Sequence, residues 1–285
     1  MGRQRLIGVH VQTRLADDIP ELPEGSLVLL KDAVDAGTLH MSDFWRKRNF
    51  FQEHELDEWR NAFEQHADGN AALTHLQMAC FLMQLCSDTL HRHFRRRQID
   101  RYFIVLAIVQ RELTLACLAL SSGNLKHIAG WWKVIGLKRT AWMTSVKGAN
   151  SVARVAHILM QEGIEVYLPT AAIDTDWKID LIAYCPRAKH GMCIQIKTIR
   201  RKRLIWYHLA NAPTKEPHGH HFSNEQRFKE GVARFRAQNR GIWTSVKLAI
   251  SSISYETGSI IPCNSMLDAM REMILDVFTD PCPTL

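Results

Sequence analysis

Two short apolar runs each carry polar side chains that packing alone does not explain. Asp180 interrupts Ile179-Asp180-Leu181-Ile182, and Gln195 and Lys197 interrupt Cys193-Ile194-Gln195-Ile196-Lys197-Thr198. A buried carboxylate or ammonium costs several kcal/mol unless it is paired or binds an ion. In a strand, residues two apart share a face, so Gln195 and Lys197 stand with Cys193 while Ile194 and Ile196 take the opposite side. If the two runs are hairpin neighbours across the turn between Pro186 and Gly191, Asp180 joins them at one edge. Two chemistries fit this set. A carboxylate and an amide oxygen can hold a hard cation such as Mg2+ or Mn2+, with the Lys197 ammonium offsetting charge that develops on a nearby phosphate. An ordinary Asp–Lys ion pair across an edge hairpin fits the spacing equally well.

The elements that must position these residues follow from periodicity. Short β-branched or apolar runs at 164–168, 179–184 and 193–198 are bounded by Pro169, Pro186 and Gly191. They read as strands. Ser151–Glu162 before them reads as a helix ended by Gly163. Asn224–Gln238 reads as a helix, Ile242–Ile250 as a strand and Met266–Phe278 as a closing helix. The order predicts an α/β fold with a mixed central sheet flanked by helices.

Upstream the texture differs. Residues 1–40 are punctuated by Pro20, Pro23, Gly25 and Gly37, and are expected to be irregular with at most a short strand. Ser42-Asp43 is a candidate cap for one helix through Phe63, and further helices are expected over 71–95, 99–120 and 125–134. No proline interrupts residues 24–168, consistent with a mainly helical N-terminal domain. The expected division is 1–140 helical and 141–285 α/β.

The pattern from Lys147-Gly148 through the helix to Gly163, then Glu165-Val166-Tyr167-Leu168-Pro169, Ile179-Asp180-Leu181-Ile182-Ala183 and Ile194-Gln195-Ile196-Lys197-Thr198 resembles the core of the PD-(D/E)XK nuclease superfamily. That superfamily includes restriction endonucleases and Holliday-junction resolvases. The resemblance covers about residues 145–255. It implies a restriction-endonuclease-like fold and a Mg2+- or Mn2+-dependent endonuclease, with Asp180 as the metal-binding Asp, Gln195 in the place usually held by Glu or Asp, and Lys197 as the catalytic lysine. The acid that family members often carry on the first core helix has no counterpart, since Val152 falls there with Ser151 before it. Asp174 and Asp176, and below them Glu165, are the candidate substitute ligands. The missing acid also leaves a second reading open: a catalytically silent nuclease-fold protein that binds nucleic acid or serves as an assembly subunit.

Charge points to the same partner. Residues 1–130 carry 15 Lys and Arg against 16 Asp and Glu, whereas residues 131–285 carry 21 against 13. A basic domain joined to a neutral one is suited to a polyanion, most often nucleic acid. Arg200, Arg201, Lys202 and Arg203 follow Lys197 directly, and Arg227, Lys229, Arg234, Arg236 and Arg240 continue along the 224–238 helix and just beyond it. These are the expected contacts to DNA phosphates. Trp206 and Tyr207 can stack on bases or pack on the sheet. His218, His220 and His221 lack a Cys or acid partner at zinc-finger spacing, so a loop near the phosphate backbone is expected. Arg95-Arg96-Arg97 with His91 and His93 reads as a solvated helix end, and Trp131-Trp132 as packing.

The remaining features bound the class. Seven cysteines without a CxxC pair, most in apolar runs, read as reduced thiols of a cytoplasmic protein. No signal peptide or membrane span is evident. No P-loop, GxGxxG or serine elbow is present. The N-terminal domain is the expected site of target recognition, regulation or a protein partner, and a homodimer is a candidate assembly.

Overall fold

A computed structural model describes residues 8–11, 22–47, 53–86, 99–120, 128, 130–199, 205–209, 225–251 and 264–279. The elements are β1 (Val9–Val11), α1 (Ser26–Lys47), α2 (Glu53–His66), α3 (Ala71–Leu85), α4 (Ile99–Ala119), α5 (Arg139–Gln161), β2 (Glu165–Leu168), α6 (Ala171–Trp177), β3 (Leu181–Cys185), β4 (His190–Ile199), β5 (Ile205–Leu209), α7 (Glu225–Gln238), β6 (Ile242–Ser251) and α8 (Asn264–Thr279). They form two compact units whose division falls between residues 153 and 154, inside α5. The expected boundary at 140/141 is therefore displaced into that helix, and the early strand β1 joins the α/β unit rather than the helical one.

In the helical unit, α1, α2 and α4 pack around α3. The sequence of α3 is apolar on every side, so nearly all of its residues are buried. Asn70 caps it, its side chain accepting from the Leu73 amide at 3.0 Å. The helix over 26–47 replaces the irregular segment expected there. Leu30, Ala33 and Val34 return at helical spacing on its buried side. Gly37 is not a breaker in this helix. A Cβ there would lie 2.8 Å from the Phe81 carbonyl oxygen, so glycine is what lets α1 approach α3. The single helix expected over 42–63 is instead α1 and α2, with residues 48–52 outside the described set. Of the helix expected over 125–134, Ile128 and Gly130 are helical and a 3-10 turn follows at Trp131–Lys133, while 125–127 and 129 lie outside the described residues.

Glu112, fully buried in α4, anchors this unit. Its carboxylate accepts from both Arg60 terminal nitrogens at 2.6 and 3.1 Å and lies 2.7 Å from His75 Nδ1. Burial alone would raise its pKa, but the hydrogen bonds and charges of His75 and Arg60 outweigh it and hold the carboxyl down at about 2.

The α/β unit is built on a six-stranded sheet in the order β1-β2-β3-β4-β6-β5. All neighbours are antiparallel except β4 and β6, which are parallel and joined through α7. The sheet is thus mixed and flanked by helices, as expected. Residues 191–196 of β4 are buried on both faces, as a central strand requires. One face is covered by α6 and α7, where Ile173, Phe228, Val232 and Phe235 meet Ile182, Cys193 and Trp243 of the sheet. His190, on the opposite alternation, meets the Phe278 ring of α8 at 5.3 Å. Gly191 is needed because the Trp243 ring crosses it, 2.2 Å from where a Cβ would stand.

No helix among the described residues is long and apolar enough to cross a membrane. Five cysteines fall within the described residues, Cys80, Cys86, Cys117, Cys185 and Cys193, and all are free thiols.

The Glu112 cluster has a measurable consequence. Because its folded pKa lies near 2 and its ordinary value is 4.5, the stability it contributes is present above about pH 4.5 and is lost as pH falls toward 2. Glu112→Gln is expected to lower unfolding free energy at pH 7 by about 3 kcal/mol, since it removes the buried charge that the half-buried Arg60 guanidinium and His75 are arranged around. The variant should also lose less stability than wild type between pH 5 and 3. Urea titrations at these pH values check this, and equal stability at pH 7 would show that the cluster is dispensable.

Candidate functional site

The β3–β4 hairpin brings Asp180, Gln195 and Lys197 together, as their spacing suggested. The turn over 186–189 sets the register Leu181↔Ile194, which places Asp180 opposite Gln195 just before β3 begins. At this point the ladder changes character. The Asp180 amide donates to the Ile194 carbonyl at 2.9 Å, and the Ile196 amide donates to Asp180 Oδ2 at 2.6 Å. A side-chain carboxylate thus takes the place of a ladder acceptor at the end of the hairpin, held by the Ile196 amide.

Gln195 is fixed from the other side. Lys178 ends α6 in a left-handed conformation (φ 57°, ψ 33°) that turns the chain into β3, and its carbonyl accepts from Gln195 Nε2 at 3.4 Å. That contact assigns the amide: nitrogen must face the carbonyl, so Oε1 faces away. Gln195 is 1% exposed, and its Oε1 has no hydrogen-bond partner among the described residues. A buried carbonyl left in this state is costly, about 1–3 kcal/mol, and is suited to an incoming donor or cation.

Electrostatics single out Asp180. Burial pushes its carboxyl up to about 6, against the lowering pull of the Ile196 amide and the Lys197 and Lys178 ammonium groups. This is the reverse of Glu112. Lys197 is half-buried, and among the described residues no ion pair joins it to Asp180 within 4 Å. The edge ion pair that the spacing also allowed is therefore not formed.

The other candidates fall differently. Asp174 and Asp176 lie on the short helix α6, with Asp174 half-buried and Asp176 exposed. Glu165 on β2 accepts from the Tyr167 hydroxyl at 2.8 Å, and burial together with this bond pushes the phenol up to about 12. Among the described residues, no three His, Cys, Asp or Glu side chains are grouped so as to hold a metal ion. Val152 on α5 is buried.

Arg227, Lys229, Arg234, Arg236 and Arg240 are exposed, while Phe228, Val232 and Phe235 of the same helix face the core. Arg236 Nε also donates to the Trp243 carbonyl at 2.8 Å, which pins the C-terminal end of α7 to the start of β6. The Arg227 and Lys229 end consequently lies toward the finishing ends of β4 and β6, where Gln195 and Lys197 stand. Arg200, Arg201, Lys202, Arg203, the histidines at 218, 220 and 221, and the 91–97 cluster lie outside the described residues. Trp206 and Tyr207 occupy β5.

Sequence reasoning missed Lys178 and Lys247. Lys178 carried no signal beyond standing between a short helix and a strand. Lys247 did carry one: like Asp180, it interrupts an apolar strand, Ile242–Ser251.

The raised Asp180 carboxyl gives an expectation with a definite sign. A folded pKa of about 6 against an ordinary 3.8 favours the folded state below about pH 4, and that advantage is lost as pH rises through 6. Asp180→Asn keeps an acceptor for the Ile196 amide and removes the charge from this half-buried position. It should raise Tm by a few degrees at pH 8 and by much less at pH 5. Differential scanning fluorimetry at both pH values tests this; a larger loss of Tm at pH 8 than at pH 5 would show that the carboxylate is structurally paired. Compared with known proteins, the chain matches no family model, no curated protein and no solved structure.

Proposed function

We propose that the chain is a metal-dependent endonuclease of the PD-(D/E)XK type that hydrolyses phosphodiester bonds in DNA, in a defence, recombination or mobile-element setting. The observation that carries this reading is the convergence of Asp180, Gln195 and Lys197 at the end of the β3–β4 ladder, with the Gln195 Oε1 buried and unpartnered. The order of elements adds support: α5, three antiparallel strands β2-β3-β4, then α7 and β6 parallel to β4. The helix followed by three strands is the order on which the sequence resemblance rests; α6 is set between β2 and β3, and β5 between β4 and α7.

The donor set suits a hard divalent cation. Asp180 has a second carboxylate oxygen beyond the one bound to the Ile196 amide, and Gln195 supplies a neutral oxygen; water completes such sites. When bound, Mg2+ or Mn2+ polarises the phosphoryl oxygens and lowers the pKa of a coordinated water. The protein's own part is positional and electrostatic. The Ile196 amide fixes the orientation of Asp180, and the Lys178 carbonyl fixes that of Gln195. Lys197 sets an ammonium beside the phosphate, where a fixed positive charge stabilises the transition state more than the ground state. The outer face of α7 and Arg200, Arg201, Lys202 and Arg203 supply charge for the DNA backbone.

One observation favours a second reading. Val152 stands where an acid is usual, and among the described residues no three His, Cys, Asp or Glu side chains are grouped so as to hold a metal ion. A nuclease fold that binds nucleic acid without cutting it would look the same.

Incubation of the full chain with supercoiled plasmid in Mg2+ or Mn2+ separates the two. Nicking should appear and be abolished by EDTA. Lys197→Ala and Asp180→Ala should each slow it by at least ~100-fold. Cleavage untouched by both substitutions would contradict this site, and salt-dependent binding without cleavage would support the silent fold.

A further inference from the structure

Lys247 stands on the central strand β6 with 4% of its surface exposed. The parallel register pairs it with Gln195. Laterally paired residues share a face and lie about 4.8 Å apart at the backbone. Gln195 and Lys247 are therefore lateral neighbours across β4 and β6, with the backbone of His208 on β5 next in register and Asp180 just past the end of the β3–β4 ladder on the other side. The rows on either side contrast with this pair. Lys197 is paired with Ala249, and Cys193 with Ser245, so only small β6 side chains flank Lys247 on this face.

An ammonium on a central strand is expensive to bury, and an apolar residue would serve packing better. The position beside it holds the buried Gln195 carbonyl, which has no hydrogen-bond partner among the described residues. Two such features in adjacent positions, a buried cation and a buried orphan acceptor, describe a place prepared for a ligand that brings both negative charge and a cation or donor. A phosphodiester accompanied by its counterion has this character. Lys247 keeps an internal contact of its own, and this does not remove it from the site, because an ammonium has three donors on a rotatable stem.

We infer that Lys247 is a further phosphate-facing residue of this site, supplying from β6 a second positive charge beside Lys197. The inference rests on the proposed reading of this face as a phosphate site and extends it to β6, a strand that carries none of the motif residues of the sequence resemblance.

The test uses the full chain, as wild type, Lys247→Met, Lys247→Gln and Lys247→Arg. A fluorescent DNA oligonucleotide is titrated in EDTA at several salt concentrations, and Tm is recorded for each protein. Lys247→Met should weaken binding at least ~5-fold and reduce the slope of log K against log salt by about one, with Tm unchanged or raised. Lys247→Arg should restore most of the affinity. Unchanged affinity and slope in a folded Met or Gln variant would overturn the inference. So would failure of both variants to fold, because the ammonium would then be a structural ion-pair partner, and so would absence of DNA binding by wild type. Plasmid cleavage in Mg2+ is scored in parallel. Wild type that binds but does not cut contradicts the nuclease reading while the salt slope still decides Lys247; cutting that is equal in wild type and Lys247→Met, with equal slopes, contradicts Lys247 alone.

Discussion

The hydrogen bond from the Ile196 amide to the Asp180 carboxylate is the interaction on which the site depends. It falls where β3 ends its pairing with β4, so it closes the hairpin ladder and aims a carboxylate in one step. Everything else at the site is arranged relative to it. Gln195 and Lys197 are the two neighbours of the donating residue, so their places follow from strand alternation. Lys178 turns the chain from α6 into β3 and spends its carbonyl on Gln195. The packing of α6 and α7 on the sheet, through Ile173, Phe228 and Phe235, is what holds that turn in place.

Two carboxylates taken largely out of water show how differently the fold treats a negative charge. Glu112 has a guanidinium and an imidazole within hydrogen-bond distance, and its charge is satisfied inside the helical unit. Asp180 has one backbone amide and two ammonium groups acting at longer range, and burial wins. A carboxyl poised near 6, beside an orphan carbonyl and two lysines, is an arrangement that costs stability and is more easily explained by function. The same contrast explains why one carboxylate suits a structural role and the other a binding role, although both interrupt apolar runs in the sequence.

Much of the α/β unit was legible because its strands are short apolar runs bounded by proline or glycine. The α7 and α8 helices and β6 were placed nearly to the residue for the same reason. The elements that escaped did so for physical causes. Helix α6 has only seven residues, too few to show a period, and its start is marked chiefly by Thr170, whose hydroxyl accepts from the Ile173 amide at 3.4 Å. The first half of α5 includes Gly148, a weak helix former that is accommodated because it is pressed against the Gln110 side chain. Gly37 misled because it reads as punctuation. β5 follows a basic run, and its Trp206 and Tyr207 drew attention as side chains rather than as a strand. At the site, alternation and the turn sufficed for Asp180, Gln195 and Lys197. The orphan Oε1 and the Lys178 contact depend on tertiary geometry that no spacing encodes.

The central claim is that Asp180 and Gln195 form a cation site, and calorimetric titration with Mn2+ tests it most directly. The account expects one ion per chain, bound at least ten-fold more weakly at pH 5 than at pH 7.5 because Asp180 must lose its proton, with binding lost in Asp180→Asn and weakened in Gln195→Ala. An ion bound equally well by wild type and both variants, or no ion bound at pH 7.5, would contradict it.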